Sequence, residues 1–378
     1  MKNIWLEATH LMSKKGQNKT GVGYYTHNII CNLVGLNPSD RYVVFGARFG
    51  EKLDYSKDYP GAKVRIIRTL PGKVWNQLIK KNLMPPLEAL YRSKPDVVVF
   101  FNFVKLPTLS STKTVVVIHD LAFEHFPEYI DKKNLQYLKK FVPQSIKGAD
   151  RIVAVSEYTK RDIIAQYSVK PDKISIVPNA VDVSYFKKTQ VSAVIKERYG
   201  LPHNYILFVG TIEPRKNLAT LIQAHKMLPD EMRHKYPLLI AGMKGWVEQE
   251  NALVDEYCRD GGAILTGYVD HTDLPAIYSG ATVLVMPSIF EGFGIPLLEA
   301  MACGVPVVGA NNSSIPEVIN GAGELFKTGD HKDLNKKLVR VLSDTKYRKS
   351  LEMKGRDRVK QYSWEKSART LQDLIDSL

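Results

Sequence analysis

Cysteine is scarce in this chain: Cys31, Cys258 and Cys303 are the only three, and they lie far apart. Such spacing builds neither a disulfide framework nor a metal-binding pair. No apolar run approaches the ~18 residues that a membrane-crossing helix needs. The opening stretch MKNIWLEATH carries Glu7 and His10 where a secretory leader needs an unbroken apolar segment, so a cytoplasmic protein is expected. The common phosphate-binding signatures are missing as well. There is no G-x-x-x-x-G-K-[ST] loop, and GVGYYT at 21–26 has Thr26 where the third glycine of a dinucleotide turn belongs. No Asp-x-Asp pair occurs, so the carboxylates that would hold Mg²⁺ or Mn²⁺ against a diphosphate are absent. Neither a metal nor another cofactor is therefore expected. Signatures of nucleic-acid binding are lacking too, and nucleic acid is not an expected partner.

Positive charge is abundant, and it is uneven. Residues 1–190 hold 30 Lys and Arg against 16 Asp and Glu, whereas residues 191–378 hold 23 of each. The whole surplus of 14 thus sits in the first half, which points to an anionic partner or a merely soluble basic face. A membrane surface is one such partner, and the segment GKVWNQLIKKNL at 72–83 mixes Trp75, Leu78 and Ile79 with Lys73, Lys80 and Lys81, as an interfacial helix would. A helix with its apolar face in the core explains the same pattern.

At 378 residues the chain exceeds one typical core, and two domains are expected. Short β-branched runs alternate with amphipathic segments throughout. RYVVFGA, KVRIIRTL, PDVVVFFNF, KTVVVIHD, RIVAVS and KISIVPNAVD fall in the first half; YILFVGTI, YPLLIAGM, AILTGYV, ATVLVMPS and GVPVVGA fall in the second. Near-continuous apolar runs indicate strands buried on both faces of parallel sheets, so the fold class is α/β with two doubly wound, Rossmann-like domains. VPNAVDVSYFKK at 177–188 reads as the linker. The expected boundaries are 1–182, 183–361 and a final helix, 362–378. Ligands of such sheets bind at the carboxyl ends of strands, and two facing domains would share one cleft.

Three strand ends carry chemistry. FVGTIEPRKNL runs from a buried strand into Arg215 and Lys216 and then a helix, an arrangement suited to a pyrophosphate; a solvated loop is the competing account. FEGFGIPLLEA places Glu291 on a glycine loop and Glu299 about one turn inside the following helix, with about 4.5 Å of rise between Pro296 and Glu299. Carboxylates accept hydrogen bonds from hydroxyl groups, while glycine-loop amides suit phosphate, so sugar, phosphate and ribose would fit in sequence. A loop carboxylate and a salt-bridged helix residue would explain the stretch equally. TVVVIHDLAF ends a buried strand on His119 and Asp120; a lone histidine there is more often structural than catalytic, but its place at a presumed cleft favours function.

On TGVGYYTHN, VVVIHDLAFEHFPEYI, AVSEYTKRDI, ISIVPNAVD, LFVGTIEPRKNL, LTGYV, PSIFEGFGIPLLEAMACGVPVVGANNSSIPEVI and YSWEKSA, the chain resembles the retaining family 4 glycosyltransferases of GT-B fold, closest to a mannosyltransferase-like branch. The resemblance implies roles at matching positions. Arg215 and Lys216 would bind the donor diphosphate, Glu291 the donor-sugar hydroxyls, and Glu299 the ribose. Backbone N–H groups of Phe293, Gly294 and Ile295 would meet sugar or phosphate, and Tyr268 and Val269 would flank the base through main chain. His119 would lie near the anomeric carbon. Gly21 and Gly23 would form a first-domain loop beside the phosphates, and the last helix would cross back to the first domain. The arginine and lysine adjoin here but are separated in many relatives, so Thr211 holds a donor-side position sometimes taken by arginine. Tyr24 stands where close relatives often have arginine; with Asp120 it is the expected acceptor contact.

The implied activity is metal-independent, retaining transfer of a hexose. GDP-mannose is the expected donor, and a glycan or lipid-linked acceptor of cell-surface polysaccharide or lipopolysaccharide synthesis the expected acceptor. The enzyme would work in the cytoplasm, peripheral to the inner face of the membrane. Alternatives are a UDP- or dTDP-sugar donor, a nucleotide-sugar epimerase, and a binding protein that transfers nothing.

Overall fold

The structure, a computed structural model, describes residues 1–11, 21–47, 56–67, 74, 77–79, 81 and 83–378. The chain separates into two compact units, Met1–Asn179 together with Trp364–Leu378, and Ala180–Ser363.

The first unit is built on a sheet whose described strands are β1 (Asn3–Glu7), β2 (Arg41–Ala47), β3 (Lys63–Ile67), β4 (Val97–Phe100), β5 (Lys113–Ile118), β6 (Arg151–Ala154) and β7 (Ile174–Ile176). They pair in the order β3-β2-β1-β4-β5-β6-β7, all parallel. The order reverses between β1 and β4. Valines fill β4 and β5 because both faces are covered, and Val97–Phe100 and Thr114–Ile118 are buried throughout. Ser156 caps the helix Glu157–Tyr167 by accepting from Thr159 N at 3.0 Å. The C-terminal helix Trp364–Asp376 carries Glu365 in its first turn. It lies on the helix Gly21–Leu33, where Trp364 meets Tyr24 and Tyr25 edge-on at 5.7 and 6.0 Å. Tyr42 donates to Gln372 at 2.9 Å and Ser367 to the Pro178 carbonyl at 2.8 Å, tying the helix to its own unit.

One expectation changes here. Gly21 and Gly23 form the first turn of a helix rather than a loop. Leu78 and Ile79 are half-buried and pack against the core of this unit. Among the described apolar residues of the 72–83 segment, Leu78 and Ile79 thus face the core, whereas Val74 and Leu83 are exposed, at 41% and 64%; Lys73, Trp75 and Lys80 lie outside the described residues.

The second unit repeats the plan with β8 (Ile206–Val209), β9 (Leu238–Ala241), β10 (Ala263–Gly267), β11 (Val283–Met286), β12 (Val307–Ala310) and β13 (Glu324–Phe326). These pair in parallel in the order β10-β9-β8-β11-β12-β13, reversing between β8 and β11. β13 is an edge strand on which Glu324 is held by Lys337 at 2.9 Å, Arg340 at 3.1 Å and the Tyr347 hydroxyl. Among the described residues no helix is long and apolar enough to cross a membrane.

Candidate active site

The two loops at the reversal of the second sheet carry most of the residues singled out above. β8 leads through Gly210 and Thr211 into the turn Pro214–Lys216, and β11 leads through residues 287–294 into the helix Ile295–Ala302. Open α/β sheets hold ligands at this place, beyond the carboxyl ends of strands where their order reverses. Backbone and side-chain bonds lock the loops together. Ile289 N donates to the Arg215 carbonyl at 2.9 Å, and Asn217 Nδ2 donates to the Pro287 carbonyl at 3.1 Å.

Between them lies a charged cluster. Lys216 Nζ donates to Glu291 Oε1 at 2.7 Å, and Arg215 Nη1 stands 3.1 Å from Glu291 Oε2. The same guanidinium donates to the Phe290 carbonyl and to Glu213 Oε1, each at 2.6 Å. Burial alone would raise the Glu291 pKa, but Lys216 and Arg215 outweigh it and hold the carboxyl at about 2. Glu291 is therefore fully ionised at neutral pH. Two cations and two carboxylates cancel formally, so the cluster is not the positive patch that the Arg-Lys dipeptide suggested by itself. Glu213 is the residue that changes the reading, and nothing in its sequence context marks it.

The Glu291 loop is held from behind. Ser314 Oγ lies 2.9 Å from the carbonyls of Glu291 and Phe293, and Glu291 N donates to Ser313 Oγ at 2.9 Å. These serines belong to the NNSSIPEVI run, where sequence reasoning assigned them no role. Gly294 takes φ +103°, and an added Cβ would sit 3.2 Å from Leu297 Cδ1 and 3.3 Å from Met286 Sδ, which is why glycine stands there. Pro296 lies in the first turn of the helix and Gly304 beyond its end at φ +72°, positions that suit proline and glycine. Among the described residues, the N–H groups of Phe293, Gly294 and Ile295 have no hydrogen-bond partner, which leaves three successive donors at a helix start.

Glu299 differs from Glu291 in every electrostatic respect. Burial raises its pKa to about 7, and the hydrogen bond from Tyr278, at 2.6 Å to Oε2, only partly offsets this. Near neutrality it spends a large share of its time protonated, so it donates as well as accepts; the sequence had suggested an acceptor only. Tyr278 was not anticipated. Tyr268 and Val269 follow β10, the first exposed and the second buried, and Thr211 is exposed beyond β8.

The other sequence candidates belong to the first unit. His119, at the end of β5, is buried and bonds through Nε2 to the Phe101 carbonyl at 2.7 Å. A carbonyl only accepts, so Nε2 carries the proton and Nδ1 the lone pair. Burial lowers its pKa to about 4, and the Phe101 bond opposes this only in part. His119 is neutral at physiological pH. Tyr25 packs edge-on against it at 5.1 Å, linking it to the helix that holds Gly21, Gly23 and Tyr24. Asp120 Oδ1 accepts from Ala122 N at 3.0 Å, just ahead of the short helix Ala122–His125.

Two doubly wound parallel sheets, each with its loops at the strand-order reversal, define an α/β architecture of Rossmann-like units. Residues 20–185 match the family model described as Glycosyltransferase Family 4, and residues 194–358 that described as Glycosyl transferases group 1. O-antigen chain mannosyltransferase B of Escherichia coli is 36% identical over 256 residues, covering 67% of each chain. Serotype-specific mannosyltransferase WbdA of Escherichia coli is 30% identical over 266 residues, 68% of this chain but 32% of its own length. In fold, sucrose-phosphate synthase from Thermosynechococcus elongatus superposes with a TM-score of 0.76 over 100% of this chain and 99% of its own, at 20% identity. The chain belongs to the family 4 glycosyltransferases of GT-B fold, and it is an enzyme of that class.

Proposed function

We propose that this glycosyltransferase moves a mannosyl unit from GDP-mannose to a glycan or lipid-linked acceptor in cell-surface polysaccharide synthesis, with retention at the anomeric carbon and without a metal. The observation that carries the reading is the buried, ionised Glu291 held by Arg215 and Lys216 beside three free amides. A carboxylate fixed in this way accepts from sugar hydroxyls, while N–H groups and cations receive the diphosphate. The mannosyltransferase names of two relatives support the choice of sugar.

In this scheme the acceptor oxygen bonds to the anomeric carbon as the bond to the diphosphate breaks, and the departing phosphate oxygen takes the acceptor's proton. Charge developing on the leaving group is stabilised by Arg215, Lys216 and the start of the helix Ile295–Ala302. Glu299 meets the ribose, and the main chain at Tyr268 and Val269 meets the base, with Thr211 beside the diphosphate. The first unit supplies neutral His119, the helix start at Gly21 and Gly23, and acceptor contacts at Tyr24 and Asp120. An anionic membrane face suits the basic surplus, which includes the exposed Lys132, Lys133, Lys139, Lys140 and Lys147 on the helix Lys132–Gly148.

Thermal shifts against GDP-mannose, UDP-glucose and a dTDP-sugar, followed by transfer assays with EDTA, test the proposal. Ligand at 100 times Kd should stabilise by about 2.7 kcal/mol. A response to GDP-mannose and an α-linked, EDTA-insensitive product is expected. Absence of any nucleotide-sugar response would remove the donor reading, and a β-linked product would remove retention.

A further inference from the structure

Backbone pairing in the second unit continues past the ends of β8, β9 and β10. Ile212 bridges Lys244 in parallel, and Gly242 bridges Gly267. Ile212 N donates to the Met243 carbonyl at 2.9 Å, and a Cβ on Gly245 would fall 1.9 Å from the Ile212 carbonyl oxygen. The loop at 242–246 thus lies directly against the loop that runs on to Arg215 and Lys216. On this edge three large apolar side chains are left in solvent: Met243 at 46%, Trp246 at 57% and Tyr268 at 50% exposure. Tryptophan is seldom left so open, and exposed apolar groups gathered at one edge mark a binding surface.

We propose that the Trp246 indole is the stacking face for the nucleobase of the donor, and that it favours a purine. The inference rests on the nucleotide-sugar reading above and extends it from main chain to a specificity-determining side chain. A nucleoside diphosphate is flat and apolar at one end and doubly anionic at the other. The edge offers two exposed aromatic rings on neighbouring strand ends, the adjoining loop after β8 carries Arg215 and Lys216, and the loop after β11, bonded to it, carries the free amides. Stacking needs no base-edge hydrogen bonds and grows with ring overlap, so the larger purine gains more from an indole than a pyrimidine does.

Binding of GDP, UDP and inorganic pyrophosphate to the whole protein and to its Trp246→Ala and Trp246→Phe variants tests this by calorimetry. Trp246→Ala should raise the GDP Kd about tenfold or more, and Trp246→Phe should stay within about threefold of the parent. Pyrophosphate affinity and the melting temperature without ligand should not move. Unchanged GDP affinity in Trp246→Ala would overturn the proposal, as would parallel losses for GDP and pyrophosphate. Tighter UDP than GDP binding by the parent protein would remove the purine preference. If only the acceptor KM rises, the ring serves the acceptor and the assignment falls. Trp246-dependent GDP binding without mannosyl transfer would leave this inference standing and refute the proposed reaction instead.

Discussion

Lys216 Nζ and Glu291 Oε1 stand 2.7 Å apart, joining the loop after β8 to the loop after β11. One ion pair therefore fixes both the cation to which the proposed scheme gives the leaving group and the carboxylate to which it gives the sugar. Replacing Glu291 by Gln should lower kcat/KM about 10- to 100-fold, the worth of a charge-assisted hydrogen bond. It should also destabilise the protein by about 3 kcal/mol, because Arg215 and Lys216 lose their shared partner. Steady-state kinetics together with chemical denaturation measure both, and an unchanged kcat/KM would refute the role of Glu291.

The two glutamates of FEGFGIPLLEA should respond to acid in opposite senses. Glu291 has its pKa depressed to about 2 from 4.5, so its contribution to stability is complete above about pH 4.5 and is lost as the pH falls toward 2. Glu299 has its pKa raised to about 7 from 4.5, so its contribution is complete below about pH 4.5 and is lost as the pH rises through 7. Glu299→Gln should therefore gain on the parent protein, in melting temperature, between about pH 4.5 and 7. Tyr278→Phe removes the bond that favours the carboxylate and should move the upper end of that window upward. A pH-independent difference between Glu299→Gln and parent would contradict the buried proton.

His119, with its pKa near 4 and its Nε2 proton committed to Phe101, is neutral throughout the physiological range. The pH profile of kcat/KM should then show no inflection near 6.5 that disappears in His119→Gln. An inflection near 6.5 that the substitution abolishes would mean that the ring titrates during turnover.

Gly242 is a position of close approach, where an added Cβ would fall 1.9 Å from the Gly210 carbonyl oxygen. Gly242→Ala must push the end of β9 away from the end of β8, breaking the 3.0 Å bond from Gly210 N to the Ala241 carbonyl. A loss of stability beyond about 2 kcal/mol is expected, with a fall in nucleotide affinity because Arg215 and Lys216 ride on the displaced loop. Parent-like melting would show that the loops separate more easily than their pairing suggests.

Legibility of the fold in the sequence followed burial. β4, β9 and β11 are apolar end to end, since both faces are covered, and each was visible as an unbroken run. β1, NIWLE, was not, although it is an interior strand that pairs with both β2 and β4. Asn3 and Glu7 interrupt it, and its apolar content is three residues. β13, ELF, escaped for a related reason: its Glu324 is compensated by Lys337, Arg340 and Tyr347, partners that only the fold supplies. The same limit applied at the site. The residue types of the β8 and β11 loops were readable, but the pairing of Lys216 with Glu291 and the proton on Glu299 arise from contacts between residues distant in sequence, and Glu213 pairs with nearby Arg215 only because the turn brings their side chains together. Gly21 and Gly23 misled because glycine marks turns and helix starts alike.

The helix Trp364–Asp376 packs on the helix Gly21–Leu33, so the first unit is discontinuous in the chain and the second is inserted within it. Synthesis runs from the N-terminus, and domains fold as units once their residues have emerged. The second unit, Ala180–Ser363, is contiguous and can close while its neighbour still waits for a last helix. Until then the groove that receives Trp364, Leu371 and Ile375 stays open, so the unit whose synthesis begins first is the later one to be completed.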